Sequence, residues 1–238
     1  MTVPAVSVIV PAYNEADSIV VLITDILRSA PHDCEVVLVD DDSPDGTAAR
    51  ARDAFSGDAR VRVIVRTADR GFAKSIRAGI EAARAPLVLV MDSDFNHDPA
   101  DIPRLLGVSP YADIVSGSRF APGGNMPDRS RYLASLLYNV AIRVILRTQV
   151  QDNLCGFFVM RRELVVALPL DAIFFGFGDY FYRLIHFAQR RRYSIIEIPI
   201  ILGARRAGTA KNRVVRTFVR YTIALIRFRA ELPRSSRA

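Results

Sequence analysis

The sequence predicts an α/β fold of the Rossmann-like, doubly wound kind, with a mostly parallel sheet and helices on both faces. Strand and helix patterns alternate along the first half of the chain, which is typical of a parallel sheet. The apolar run at 86–91 does not alternate with polar residues, so it indicates a strand buried on both faces. Neither G-x-G-x-x-G nor G-x-x-x-x-G-K-[ST] occurs, which argues against a dinucleotide dehydrogenase and a P-loop nucleotidase.

The elements of the first half follow from hydrophobic periodicity and from the Gly, Pro and Asp residues between the apolar segments. The predicted strands are 5–10, 35–39, 61–66, 86–91 and 112–116. The predicted helices are 15–30, 46–55, 72–84 and 99–106. We therefore expect each strand of this half to be connected to the next by a helix, as in a parallel sheet.

Two further helices are predicted in the second half, an apolar one at 132–146 and a basic one near the C-terminus. In the C-terminal helix, Arg213, Arg216, Arg220 and Arg227 occupy one sector, opposite an apolar stripe. The stripe comprises Val214, Phe218, Tyr221, Leu225 and Phe228. This pattern suits a helix on a membrane surface. It equally suits a terminal helix that packs its stripe on the core and leaves its arginines in water.

Composition and charge restrict the class of protein. A chain of 238 residues with 50% hydrophobic and 24% charged residues is sufficient for one globular domain. Residues 1–127 carry 12 basic and 18 acidic side chains, whereas 128–238 carry 20 and 7. The basic part is therefore expected to meet nucleic acid, anionic lipid or a phosphorylated substrate. The two distant cysteines, and an N-terminus without a basic leader, predict a cytoplasmic location.

Two aspartates directly follow the strand at 86–91. Asp92 and Asp94 should stand at the carboxyl edge of the sheet, where ligands bind in open α/β folds. Two neighbouring carboxylates repel each other unless a cation compensates them, and oxygen ligands favour Mg²⁺ or Mn²⁺. The alternative is a polar turn without a ligand.

A second acidic cluster, "DDDSPDGT", follows the strand at 35–39. Asp40 and Asp41 are therefore expected at the same edge, where a carboxylate can accept hydrogen bonds from a ribose or a base. Asp45 and Thr47 are expected only to turn the chain and to cap the next helix.

Five ordered motifs carry a resemblance to a known family: "VSVIVPAYNE", "VVLVDDDSPDGT", "DRGFAKSIRAGI", "VMDSDFNHDP" and "IVSGSRF". With "RRAGTAK" at 205–211, they resemble the family-2 inverting glycosyltransferases of the nucleotide-sugar-binding (GT-A) type. The resemblance is nearest to the dolichol-phosphate and polyprenyl-phosphate sugar synthases, including the mannose synthases. It covers nearly the whole chain.

The resemblance assigns roles to particular side chains. It implies that the nucleoside is held by Pro11, Tyr13, Glu15 and Asp41. Asp40, Lys74 and Asp92 are further candidates for binding the nucleotide. It implies that Asp92 and Asp94, with Asn96 in the position where the synthases usually carry Gln, hold the diphosphate and its metal. It implies that the phosphates are surrounded by Arg119, Arg131, Ser135, Arg205 and Lys211.

The acceptor decides whether a general base is needed. A lipid phosphate is already anionic at neutral pH, whereas a sugar or protein hydroxyl must lose a proton. Asp179 and Asp152 are the candidate bases for a hydroxyl acceptor. Asp179 would otherwise be a helix cap before "YFYRLIHFAQ".

The sequence therefore predicts a metal-dependent glycosyltransferase that moves a sugar from a nucleotide donor to a polyprenyl phosphate with inversion, peripheral at the cytoplasmic face of the membrane. Residues 1–127 would bind the nucleotide sugar, and 128–238 would bind the acceptor and the membrane surface. One alternative is a transferase with a saccharide hydroxyl acceptor. Another, a non-catalytic membrane or nucleic-acid binding module, is disfavoured because a polyanion binder has no use for an acidic sheet edge, so no nucleic-acid partner is expected. The need for a partner membrane protein stays open.

Overall fold

The computed structural model describes residues 3–203 and 211–232, with side chains described for 3–203 and 221–232. Within these residues, one sheet has the strand order β3-β2-β1-β4-β6-β5-β7. Its strands are β1 (Val6–Ala12), β2 (Cys34–Asp40), β3 (Val61–Val65), β4 (Leu87–Val90), β5 (Ile114–Ser118), β6 (Phe158–Arg161) and β7 (Ile195–Pro199). The helices are α1 (Ile19–Ser29), α2 (Thr47–Ala54), α3 (Phe72–Ala82), α4 (Ile102–Val108), α5 (Arg129–Leu146), α6 (Arg162–Val166), α7 (Leu170–Ile173), α8 (Tyr180–Arg190) and α9 (Lys211–Glu231).

The sheet is mostly parallel with helices on both faces, so the predicted fold class is confirmed. Strands β1 to β4 pair in parallel, as do β5 and β7. The exception is β6, which lies antiparallel between β4 and β5. Neither β6 nor β7 was predicted from the sequence; both lie beyond the alternation of strands and helices in the first half.

The core lies on both faces of the sheet because successive strand side chains point to opposite sides. Val8 and Val10 of β1 belong to the cluster that packs under α1 and α4, whereas Ile9 belongs to the cluster under α3 and α8. All three side chains are buried. The central strands β1, β2 and β4 are therefore buried on both faces and mostly apolar, and β4 is apolar throughout, as the run at 86–91 indicated.

A third cluster joins α5, α8 and α9. It contains Tyr138, Ile142 and Leu146 of α5, Tyr182 of α8, and Leu225, Phe228 and Leu232 at the end of the chain. Leu225 and Phe228 come from the predicted apolar stripe, so this part of the stripe packs inside the protein. Across 3–203 and 211–232, no helix is both long and apolar enough to cross a bilayer.

Close packing of α3 on the sheet depends on Gly79. A Cβ atom at this position would stand 2.3 Å from Cγ2 of Ile9 and 3.2 Å from Cγ2 of Val39. Both methyl groups belong to buried β-branched side chains, which have little rotamer freedom. We therefore expect Gly79→Ala to lower the free energy of unfolding by about 1–3 kcal/mol through overpacking, measured by urea denaturation.

Gly107 supplies the matched control, since it also lies in a helix and a Cβ there would meet nothing within 4 Å. Gly107→Ala should raise the free energy of unfolding by about 0.5–1 kcal/mol. Equal effects of the two substitutions would contradict the packing argument.

Candidate active site

A cleft of about 820 Å³ opens at the carboxyl ends of β1, β2 and β4. From β1 the chain first builds β2 and β3 on one side and then returns to place β4 on the other, so the cleft lies at the topological switch point of the sheet. The sequence-predicted residues that line it are Pro11, Tyr13, Glu15, Asp41, Asp92, Asp94, Asn96, Arg119, Arg131 and Ser135. The lining residues that sequence reasoning missed include Arg70, Gly71, Phe72, Ser75, Tyr138, Phe177 and Tyr221.

Asp41 is held in place by three donors. Its carboxylate accepts hydrogen bonds from Arg66 Nη1 at 2.7 Å, Ser75 Oγ at 2.6 Å and the Gly71 backbone N–H at 2.6 Å. Gly71 has φ of +145°, a conformation that residues with a side chain rarely adopt. Asp40 instead accepts bonds from the backbone N–H and hydroxyl of Ser43. Of the two predicted carboxylates, Asp41 is therefore the one at the cleft.

The segment that carries Tyr13 and Glu15 is fixed by the turn after β2. Ser43 Oγ accepts a hydrogen bond from Asn14 N–H at 2.9 Å, and Thr47 Oγ1 accepts one from Glu15 N–H at 2.9 Å. Asp45 accepts from Ala16 N–H at 3.0 Å. The turn residues expected only to shape the chain thus also position the residues that line the cleft.

Asp94 is oriented by Asn96, through its backbone N–H at 3.1 Å and its side-chain Nδ2 at 2.7 Å. His97 supports Asp92, because its Nδ1 accepts the Asp92 backbone N–H at 3.0 Å while Nε2 lies 3.1 Å from the Cys155 carbonyl oxygen. These partners require the neutral ring with its proton on Nε2. The ring also stacks on Phe157, 4.8 Å between centroids.

Burial lowers the pKa of His97 to about 4, although the charge of Asp94 opposes this shift. The ring is therefore neutral at pH 7 and can serve as an acceptor for Asp92 N–H. The contacts of His97 are those of a hydrogen-bonding loop residue.

The donor set around Asp92 and Asp94 suits a magnesium or manganese ion. Within the described residues, no three His, Cys, Asp or Glu side chains form a group that could hold a metal by themselves. Proteins nevertheless commonly bind Mg²⁺ through only two carboxylates, and the ion takes its remaining oxygen ligands from water and substrate phosphates. Asp92 and Asp94 face the cleft and could supply such a pair. Asn96 directs its amide N–H₂ at Asp94, so in this geometry Asn96 orients the candidate metal ligand Asp94 and does not itself point an oxygen at the metal.

Arg119 reaches the cleft from a buried ion pair. Its Nε and Nη2 each donate to a different oxygen of Asp152 at 2.6 Å, and its backbone N–H donates to the same carboxylate at 3.0 Å. Burial disfavours the charged guanidinium, but the adjacent Asp152 raises the pKa of Arg119 above its ordinary value. Nη1 is the part of the guanidinium that this fork leaves for a ligand. Asp152 is fully buried in the pair, which is not the position of a general base.

Asp179 is likewise part of a buried ion pair. Its carboxylate accepts hydrogen bonds from Phe177 N–H at 2.7 Å and from Arg183 Nη1. Arg183 also donates to the carbonyls of Ile173 and Phe175, and its guanidinium lies 3.7 Å from the centroid of the Phe175 ring. Asp179 thus shapes the loop before α8; it neither caps that helix with its side chain nor faces the cleft.

The remaining predicted residues have different positions. Arg131 and Ser135 lie in the first two turns of α5 and line the cleft. Lys74 pairs with Asp69 at the surface and does not line the cleft, which argues against its expected contact with the nucleotide. Lys211 is the first residue of α9, and Arg205 lies outside the described residues.

Comparison with known proteins gives consistent matches. The sequence profile of "Glycosyl transferase family 2" matches residues 7–168. A dolichol-phosphate mannosyltransferase of Pyrococcus furiosus is 30% identical over 96% of this chain and 66% of its own length. An undecaprenyl-phosphate mannosyltransferase of Micrococcus luteus is 36% identical over 85% of each chain. The chain thus spans just under two thirds of the former relative and most of the latter.

Solved structures share the fold at lower identity. The glucosyl-3-phosphoglycerate synthase of Mycobacterium tuberculosis, in complex with Mn²⁺, UDP and phosphoglyceric acid, superimposes with a TM-score of 0.75 at 21% identity. That match covers 98% of this chain and 80% of the other. The same enzyme with Mg²⁺ and UDP gives a TM-score of 0.73 at 22% identity, over 98% and 81% of the two chains.

The low pKa of His97 predicts an acid-sensitive term in stability. An unfolded histidine titrates near 6.5, so below that pH the unfolded chain takes up a proton that the folded chain refuses until about pH 4. Stability is therefore lost as the pH falls through this window. In metal-free buffer, the wild type should lose about 2 kcal/mol more than His97→Asn between about pH 7.5 and 5, measured by denaturant titration. Parallel pH profiles of the two proteins would contradict the buried neutral ring.

The Asp179–Arg183 pair predicts a structural rather than a chemical phenotype. Asp179→Asn leaves the buried guanidinium of Arg183 without its counter-charge, so we expect it to cost about 3–5 kcal/mol of unfolding free energy. The double variant Asp179→Asn/Arg183→Met should recover part of that loss in the same denaturation assay. A fully stable Asp179→Asn with a shifted pH–rate profile would instead restore the general-base interpretation.

Proposed function

Because the chain belongs to glycosyl transferase family 2, we propose that it transfers a sugar from a nucleotide donor to a polyprenyl phosphate, with inversion at the anomeric carbon. The observation that carries the proposal is one cleft in which Asp41, Asp92 and Asp94 meet Arg119 and Arg131. Carboxylates there suit a nucleoside and a metal, and guanidinium groups suit phosphates.

The nucleoside part of the donor is assigned to the Asp41 side of the cleft. Oδ1 of Asp41 already receives Arg66 and Ser75, whereas Oδ2 receives only the Gly71 N–H. A carboxylate oxygen has two lone pairs, so Oδ2 retains an acceptor site for a base N–H or a ribose hydroxyl. Pro11, Tyr13 and Glu15 border the same cleft.

The diphosphate is assigned to Asp92 and Asp94 through a divalent metal. When bound, Mg²⁺ or Mn²⁺ stabilises the negative charge that develops on the departing nucleoside diphosphate. Asp94 is held for this role by Asn96, and Asp92 by His97. The complexes of the fold relative with Mn²⁺ and Mg²⁺ support a divalent ion.

The acceptor phosphate is assigned to Arg131 and Ser135, at the N-terminal end of α5. The guanidinium and the hydroxyl can both donate to phosphate oxygens, whereas the backbone N–H groups of Ser130 and Arg131 are already bound by the Asp128 carboxylate. Nη1 is the guanidinium nitrogen of Arg119 that would contact a phosphate, because Nε and Nη2 are bound to Asp152.

The positions of the two candidate general bases also favour a phosphate acceptor over a hydroxyl acceptor. The two candidate bases for a hydroxyl acceptor, Asp152 and Asp179, are buried and paired with arginines, and a base must reach the proton that it removes. An anionic phosphate oxygen can attack without a general base.

The names of the two mannosyltransferase relatives support a polyprenyl phosphate acceptor and a mannosyl donor. The proposal includes a peripheral location at the cytoplasmic face of the membrane, where anionic lipid would attract the basic half.

The test is transfer of radiolabel from a panel of nucleotide sugars to polyprenyl phosphate, followed by organic extraction, with Mg²⁺, Mn²⁺ or a chelator. We expect labelled lipid that needs the metal, and a loss of roughly 100-fold or more in rate for Asp94→Asn because leaving-group stabilisation is removed. Asp98→Asn is the matched control, since Asp98 lies in the same loop but caps the Pro99–Asp101 turn; it should retain activity.

Full activity of Asp94→Asn, or transfer in the presence of chelator, would contradict the metal assignment. Donor binding by calorimetry without any lipid product would refute the phosphate acceptor and favour a saccharide hydroxyl.

A further inference from the structure

One wall of the cleft is aromatic. Phe72, Phe177 and Tyr180 line it, and the Phe72 ring lies against the other two, with centroid distances of 4.9 Å and 6.1 Å. We call these three residues the aromatic wall. Tyr180 is buried and Phe72 is partly buried, whereas Phe177 is 45% exposed. A phenylalanine ring so open inside a polar cleft is a candidate for contact with an apolar surface of a ligand.

The exposed ring of Phe177 belongs to a loop that is fixed on two sides. On one side, the backbone N–H of Phe177 donates to Asp179 at 2.7 Å, and Asp179 is paired with the buried Arg183. On the other side, Gly178 approaches α9 so closely that a Cβ atom at this position would lie 2.4 Å from the Tyr221 hydroxyl oxygen. The fold therefore holds the ring at the cleft before any ligand binds.

The aromatic wall borders the side of the cleft assigned to the donor. Phe72 directly follows Gly71, whose N–H is bound by Asp41. At the other end of the wall, burial raises the pKa of the Tyr180 phenol well above its ordinary value, and the charge of Asp92 adds to that shift. The wall thus extends from the nucleoside carboxylate toward a carboxylate assigned to the diphosphate.

The sugar is the part of the donor that suits this wall. A diphosphate would lose hydration against a phenylalanine ring without gaining a hydrogen-bond donor. A nucleobase stacks on aromatic rings, but Tyr13, which is 53% exposed, already offers a ring in the segment bound to the turn after β2. A pyranose has C–H groups on its faces and hydroxyls at its rim, so one face can pack on a ring while carboxylates of the cleft accept from the hydroxyls.

We propose that the aromatic wall binds the sugar of the nucleotide donor, with one face of the pyranose ring packed on Phe177. This deepens the proposed function and rests on it for the presence of a nucleotide sugar. Phe177 then contributes to the choice of sugar, because an axial hydroxyl on the packed face would interrupt the C–H surface. Since Phe72 lies on α3 and Phe177 precedes α8, the sugar is bound where the two halves of the chain meet.

The first test is calorimetry with Mn²⁺, which compares each nucleotide sugar with its own nucleoside diphosphate: GDP-mannose with GDP, and UDP-glucose with UDP. For the pair that the wild type binds, Phe177→Ala should weaken the nucleotide sugar about three- to tenfold and leave the diphosphate unchanged. Phe177→Tyr keeps the ring and should bind both ligands like the wild type. Phe177→Leu keeps apolar volume without a flat face and should lose most of what Phe177→Ala loses.

A remote control removes an aromatic ring that does not line the cleft. Tyr111 is 78% exposed before β5, so Tyr111→Ala should leave the binding of both ligands unchanged. Phe177 is itself largely outside the core, and we expect unchanged circular dichroism for each of its variants.

The second test is spectroscopic, because the sequence contains no tryptophan. The emission of the Phe177→Trp variant should change when the nucleotide sugar binds and much less when the diphosphate binds. Absorption by the base is the same within each pair and cancels. Phe175→Trp is the matched control, since Phe175 lies in the same loop and is 39% exposed but does not line the cleft. Its emission should not distinguish the two ligands.

The outcomes separate this inference from the proposed function. Equal weakening of the nucleotide sugar and the diphosphate by Phe177→Ala would assign the wall to the base and overturn the proposal. Unchanged donor binding, with a loss only in transfer to polyprenyl phosphate, would assign the wall to the prenyl chain and also overturn it. Selective weakening of the nucleotide sugar, without transfer to any lipid phosphate, would support the sugar site and refute the proposed acceptor. Failure of the wild type to bind any nucleotide sugar would refute the proposed function itself.

Discussion

Repulsion between carboxylates at one edge of the sheet is the constraint around which the site is built. Asp41, Asp92 and Asp94 share one cleft, and each needs nearby donors because like charges at close range are costly. Arg66 sits against Asp41, and Asn96 against Asp94. The loops that carry these donors are therefore as necessary to the site as the carboxylates, since they keep an anionic edge stable before any ligand arrives.

Two buried ion pairs order the second half of the chain. Arg119–Asp152 joins the end of β5 to the segment before β6, and Asp179–Arg183 ties α8 to the loop before it. A buried ion pair stabilises the folded state less than well-packed apolar residues would. Removing one partner is nevertheless strongly destabilising, because it leaves an unpaired buried charge. Of the two arginines, Arg119 lines the cleft, with its Nε and Nη2 bound to Asp152. The carboxylates of Asp152 and Asp179 are paired with arginines and are not positioned to act as bases. Helix α5 connects the cleft with the surface: one side of it lines the cleft, one packs in the third cluster and one faces solvent.

Much of the first half could be predicted from the sequence. The five predicted strands lie within two residues of their observed ends, because buried parallel strands and amphipathic helices have different periods. Helix α1 begins at Ile19, not at 15, since residues 14–16 are bonded to the turn at 43–47. In the second half β6 and β7 were missed, and the segment that leads into β6 places Cys155 and Phe157 against His97. No local pattern announces that contact.

The sequence by itself determined the fold class, the two acidic clusters and the family, because these depend on residue type, period and order along the chain. Only the tertiary structure decided which carboxylates face the cleft. Asp40 and Asp41 are adjacent in sequence, yet Asp40 bonds Ser43 while Asp41 faces the ligand side. Asp179 looked available until Arg183, four residues later, proved to be buried against it. A side chain's partner is set by packing between elements, and that information is not local.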